Sequence, residues 1–249
     1  MSNVQSMHAA ARAFFPEWPC LAMLPGEWRE VPMPLVKKFL VQCGRIKPGA
    51  RLPAPIARMR ALRLPFYDGW FLLEGQSCHS VAAVGLFRLL LGRNRYLLLD
   101  GESTGVHAHN SVHLALKEDA GLADAYLRFF TTAIRGEEGP FRIVESIDDF
   151  EPFEQIVPAA RPRLPELLSP IKRLEDEDGC WVRKACVLYG GHLFEARFRI
   201  QRSGMVEMLD DKPLFTDAVT GSAHYDGIWQ IIPGARHNAS TGLSKGERP

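Results

Sequence analysis

The chain has 249 residues, 46% of them hydrophobic and 24% charged, with a formal net charge of +1. That is the make-up of a globular protein with a buried core, and it excludes wholesale disorder, a collagen-like repeat and a disulfide scaffold. The longest nearly uncharged apolar stretch, residues 81–91, contains Arg88 and falls far short of the roughly 20 residues a membrane-spanning helix needs.

The first residues show no basic segment followed by an apolar one, so no secretory signal is read there and a cytoplasmic location is expected. The five cysteines are odd in number and form no C-x-x-C pair, as expected of reduced thiols. No internal repeat is visible, which excludes solenoids and propellers. Half of the 18 prolines fall between Pro16 and Pro65, so that region is expected to hold loops and short helices, one near residues 35–43. Residues 66–76, rich in aromatics and bounded by Pro65 and Gly75, predict a strand. Residues 81–91 fit a buried strand or a helix capped by Ser80, because periodicity cannot separate the two in a continuous apolar run. Residues 92–95 read as a turn and 96–99 as a short strand, the pair forming a hairpin.

Residues 106–116 carry His107, His109 and His113. On an extended strand these three share one face, opposite Val106, Ala108 and Val112. Residues 122–135 have apolar positions at three- and four-residue steps, which predicts a helix, with Gly136 as a left-handed C-terminal cap. Residues 141–145 form the next predicted strand, and a second proline cluster marks 151–170 as a crossover. Residues 181–189, the pair Gly190-Gly191, and 192–201 predict a β-hairpin with a primed turn, because two glycines supply positive φ. Its second strand alternates, with Phe194, Ala196, Phe198 and Ile200 on one side. A turn at 202–204 leads to a third strand at 205–209, and the chain from 233 onward reads as a disordered tail. The architecture expected is therefore a single α+β domain over residues 1–232, a largely antiparallel sheet with a C-terminal three-stranded meander, packed by one main helix and short N-terminal helices.

Two constellations bear on function. From Val31 to Tyr67 there are eight basic residues and no acid, and Lys37, Lys38, Arg45, Lys47, Arg58, Arg60 and Arg63 are the candidate anion-binding residues. Against this block stands the acidic stretch 137–154, which offers an intramolecular counterpart. The second constellation is the histidine cluster, since His-x-His on a strand can place two imidazoles on zinc, with Asp100, Glu102 or His79 completing the set. His113 lies about 13 Å beyond His109 at roughly 3.3 Å per residue and joins only if Asn110-Ser111 bends the strand.

Cys78-His79 send adjacent side chains to opposite faces of a strand, so adjacency does not make a nucleophile–base pair. Gly101-Glu-Ser103-Thr-Gly105 matches the letters G-x-S-x-G, but a nucleophile elbow needs a helix directly after it, and a histidine-bearing strand or loop is expected here. Neither a P-loop nor a dinucleotide-binding fingerprint is present, so no nucleotide cofactor is expected. The leading expectation is a non-catalytic binding or interaction protein whose partner is a protein or an anionic polymer such as nucleic acid, with no cofactor. The alternative is a small metal-dependent hydrolase carrying zinc on His107, His109 and His113.

Overall fold

The computed structural model describes residues 18–46, 56–80, 83–117, 119–176 and 178–233. The expectations for Lys47, for the first 17 residues and for the polar tail beyond Pro233 lie outside the described residues. The fold is α+β, with antiparallel strand pairing throughout the described sheets. Among the described residues no helix is long and apolar enough to cross a membrane.

The first sheet is built from β1 (Arg29–Glu30), β2 (Ile56–Arg63), β3 (Phe71–Ser80), β4 (Ala83–Leu91) and β5 (Tyr96–Leu98), completed by β15 (His224–Asp226) and β16 (Trp229–Pro233). The apolar run at 83–91 is thus a strand, and its Arg88 sits in a row with Glu74 and Arg60 in cross-strand register. The strand expected to open at residue 66 begins at Phe71 instead, because Phe66 and Tyr67 turn inward as wholly buried side chains. Both faces of this sheet are covered. Met59, Leu73, Phe87 and Leu89 pack under helix α1 (Met33–Ile46) through its Val36, Phe39 and Cys43, while Leu62, Leu72 and Leu90 on the other face join the main core.

Helix α2 (Ser103–His113) follows β5, and α3 (Ala120–Ala133) follows it. The strand expected at 106–116 is therefore overturned. What decides it is burial: Val106, His109 and Asn110 face inward at helical spacing, whereas Val112, expected on the apolar face of a strand, is 68% exposed. Asp119 caps α3 by accepting from the amides of Gly121 and Leu122, so the helix starts two residues before the apolar repeat. Gly136 is not its left-handed cap; the chain leaves the helix extended at Ile134, and β6 (Arg135–Gly136) pairs with β7 (Gly139–Pro140).

The second sheet contains β8 (Arg142–Ile143), β10 (Lys172–Arg173), β11 (Trp181–Tyr189), β12 (His192–Ile200) and β13 (Val206–Phe215), with β11 to β13 forming the expected meander. Gly190 and Gly191, at φ 58° and 85°, turn β11 into β12 as a primed turn requires. Between Ile143 and Lys172 the proline-rich stretch holds β9 (Gln155–Ile156), which pairs with β14 (Val219–Thr220), and the short α4 (Leu164–Leu167).

Helix α3 lies where the two sheets meet. Tyr126, Leu127 and Phe129 pack against Leu72 and Leu90 of the first sheet and against Trp181, Phe198 and Ile200 of the second, in one continuous core. A buried polar chain runs through it. The Tyr67 hydroxyl donates to Asn110 Oδ1, Asn110 Nδ2 donates to the Tyr126 hydroxyl at 2.6 Å, and Tyr126 donates to the Gly204 carbonyl at 2.7 Å. Asn110, which α2 turns inward, is in this way given partners, which burial demands. The Nε2 of His109 is not.

Candidate functional site

Where the two sheets diverge, they leave a cleft of about 940 Å3. Its origin lies in the pairing of β4. One edge of that strand is shared by β5, opposite residues 89–91, and β16, opposite residues 83–86, and the cleft opens beside the break between them at Arg88. The opposite wall comes from Arg142, the Gly190-Gly191 turn and residues 219–221.

Three guanidinium groups and several carboxylates line it. Arg88 donates to Glu74 at 2.8 Å and to Gln230 at 2.7 Å. Arg142 lies between Glu151 at 3.3 Å and Glu154 at 2.7 Å. Glu151 also accepts from the Leu21 amide at 2.7 Å, which ties the segment before β1 to the cleft floor. Burial raises the Glu151 carboxyl above the usual carboxylate range, against the pull of Arg142. Arg135 is held differently. Its Nη2 donates to the Asp100 carbonyl and, at 2.5 Å, to the Gly227 carbonyl, and its guanidinium stands 4.8 Å from the centre of the Tyr225 ring. Gly101, at φ 96°, makes this possible, since a Cβ there would fall 2.2 Å from Arg135 Nε.

The residues singled out from the sequence lie elsewhere. In the basic block Lys37 and Lys38 are solvent-exposed on α1. Arg58 pairs with Glu30 at 3.3 Å, Arg60 with Glu74 at 2.5 Å and Arg63 with Asp68 at 3.6 Å. Their acids are cross-strand and turn neighbours rather than the 137–154 stretch, whose Glu145, Glu151 and Glu154 bind Arg128 and Arg142. The side chain of Arg45 lies outside the described residues, as do those of Cys78 and His79.

Helix α2 divides the histidines. His109 and His113, one turn apart, have ring centroids 4.7 Å from each other, while His107 turns away against Phe130 at 5.4 Å. The pairing expected of His107 with His109 on a strand is corrected by the helix, which separates residues two apart and aligns residues four apart. Among the described residues no group of three or more His, Cys, Asp or Glu side chains is placed to hold a metal. The helix also corrects the context of Ser103. A strand, a turn and a helix do enclose it, but the positive φ falls at Gly101 rather than at Ser103, and β5 runs antiparallel to β4, so the elbow geometry is not formed.

His109 has a physical role in the core. Its ring meets Tyr67 and Trp70 edge-on at 4.7 and 4.2 Å, it is 8% exposed, and its Nε2 is buried without a hydrogen-bond partner. Burial, reinforced by His113, pushes the imidazole down from 6.5 to about 4. The unfolded chain therefore takes this proton first. His109 contributes full stability above pH 6.5, and that contribution falls by about 3 kcal/mol as pH drops from 6.5 toward 4. Urea unfolding of the native chain and of His109→Phe at pH 7 and pH 4.5 checks this, with a smaller acid loss expected in the variant.

Arg135, Arg142, Glu151 and Tyr225, which line the cleft, carry no motif in the sequence that marks them as a site. A local signal existed only for the hairpin glycines at 136 and 139, which flank the paired acids Glu137-Glu138. Comparison with protein-family models, with curated proteins and with solved structures finds no match, so the geometry of the cleft carries the functional reading by itself.

Proposed function

We propose that the chain is a non-catalytic binding protein and that its ligand, a small polar molecule or a segment of a partner protein, sits in the cleft between the two sheets. The observation that carries this reading is the concave, charge-lined volume of about 940 Å3 at the seam of the fold. Binding is favoured over chemistry by how its two least exposed carboxylates, Glu151 and Glu154, are engaged. Glu154 bonds Arg142 and the Glu151 amide, and Glu151 bonds Arg142 and the Leu21 amide, so both serve the scaffold and neither is set up for proton exchange with a ligand.

The test is a thermal-shift screen of polar small molecules and short peptides, run in parallel on Ser222→Trp, which places an indole in the cleft lining. A ligand at about 100 times its dissociation constant adds about 2.7 kcal/mol to the native chain. The variant is expected to lose that gain. Ligands that stabilise both proteins equally place the site elsewhere and remove this reading.

The anionic-polymer version rests on Lys37 and Lys38, which are exposed on α1 among the described residues. Two phosphate contacts give a slope of about −1.8 for log affinity against log salt. A polarisation titration with a labelled oligonucleotide reads that slope, and no binding at low ionic strength rejects it.

A further inference from the structure

Arg135 is the cleft's odd cation. Arg88 has Glu74, and Arg142 has Glu151 and Glu154, but among the described residues no carboxylate lies within ion-pair distance of Arg135. Its guanidinium is fixed by two backbone carbonyls, both on Nη2, and by the face of Tyr225. Carbonyl dipoles and a ring face orient a guanidinium without neutralising it, and a half-buried charge left so is costly. Burial accordingly lowers the affinity of Arg135 for its proton. The group is preorganised and has no carboxylate in contact, since Asp100 and Glu102 act on it only from beyond ion-pair distance, an arrangement suited to receiving an oxyanion.

A simple anion meets a second condition. Glu102, Glu137 and Glu138 are exposed and line the same cleft, as does the exposed Asp100. Like-charge repulsion from these carboxylates works against any ligand that brings only negative charge. A ligand that pairs its oxyanion with Arg135 and offers an ammonium to the acids satisfies both ends. We infer that the cleft binds a small zwitterion, a carboxylate and an ammonium in one molecule, with Arg135 as the carboxylate anchor and the Glu137-Glu138 hairpin as the ammonium side. Free amino acids with a cationic side chain and the C-terminus of a lysine-ending peptide share this chemistry.

This inference rests on the cleft being the binding site, and the experiment separates the two. Isothermal titration of the full chain uses L-lysine, the peptide Ala-Ala-Lys, the amidated peptide Ala-Ala-Lys-NH2, acetate and inorganic phosphate as probes. L-lysine or Ala-Ala-Lys is expected to bind, and the tighter of the two identifies the source. Loss of the carboxylate in the amidated peptide is expected to weaken binding at least about tenfold, as is Arg135→Gln, while Arg135→Lys retains part of the affinity. Glu137→Gln/Glu138→Gln, on exposed positions, is expected to weaken L-lysine while leaving the unfolding midpoint in place. Circular dichroism and thermal unfolding of Arg135→Gln establish that it folds. Acetate or phosphate binding as tightly as the zwitterions overturns the ammonium half. Binding of Ala-Ala-Lys and its amide with equal affinity, unaffected by Arg135→Gln but abolished by Ser222→Trp, overturns the carboxylate anchor and leaves the cleft as the site. Binding unaffected by either variant overturns both.

Discussion

Replacing Asp124 by alanine is expected to destabilise the chain by about 3 to 5 kcal/mol, because it strands a buried charge. Arg183 on β11 is 1% exposed and faces α3, where its Nε donates to Asp124 Oδ1 at 2.5 Å. Its remaining acidic partner, Asp176, is 3.4 Å away and 54% exposed, and its Nη2 already has no hydrogen-bond partner. When Asp124 is removed, only this long and solvent-exposed contact to Asp176 is left to balance the charge. The double variant Asp124→Ala/Arg183→Met is expected to recover most of the loss, since an apolar pair of similar volume replaces a buried ion pair at little cost. Urea denaturation of the three proteins gives the comparison, and a loss under about 1 kcal/mol in the single variant would place Asp124 among ordinary surface acids.

A second large effect is expected at Glu74. It is buried between Arg60 and Arg88, with its oxygens accepting at 2.6 and 2.8 Å, and it also accepts from the Met23 amide at 3.1 Å. Glu74→Gln keeps the shape but removes the charge that balances two neighbouring cations, so about 3 to 5 kcal/mol is expected to be lost. The change is also local to a visible reporter. Arg60 stacks on Trp18 and Trp28 at 4.1 and 5.0 Å and donates to the Leu21 carbonyl at 3.1 Å, so residues 18–28 are held against the sheet through the same cation. Tryptophan fluorescence is expected to shift at denaturant concentrations below the main unfolding transition. Coincident transitions would show that the segment is held by its apolar contacts alone.

These two clusters also mark where sequence reading reached its limit. The β11–β12 hairpin was legible because Gly190-Gly191 fix the turn and the alternation after it fixes the face, both local facts. Helix α3 was legible because its apolar repeat points to one core. Helix α2 was not, because the side chains it buries include His109 and Asn110, and their burial makes sense only beside Tyr67, Trp70 and Tyr126. Read alone, the two-residue step from His107 to His109 imitates a strand. The basic block failed for a related reason. Its arginines look unopposed along the chain, yet antiparallel pairing brings Glu74 beside Arg60 from fourteen residues away. The cleft was the least legible feature, since its walls run from Arg88 to Gln230 and no single segment carries its chemistry.

The pairing of β4 has a consequence for how the protein is made. Arg88 and its partner Gln230 are separated by 142 residues, and β16 occupies the same edge of β4 beside which Arg88 lies. At roughly 5 to 20 residues per second, a ribosome takes about 7 to 30 seconds to deliver the second after the first. Throughout that interval Val84 and Leu86 belong to an unfinished sheet edge, with backbone donors and acceptors open to any other nascent strand. The last strand among the described residues is thus also the one that closes this edge of β4.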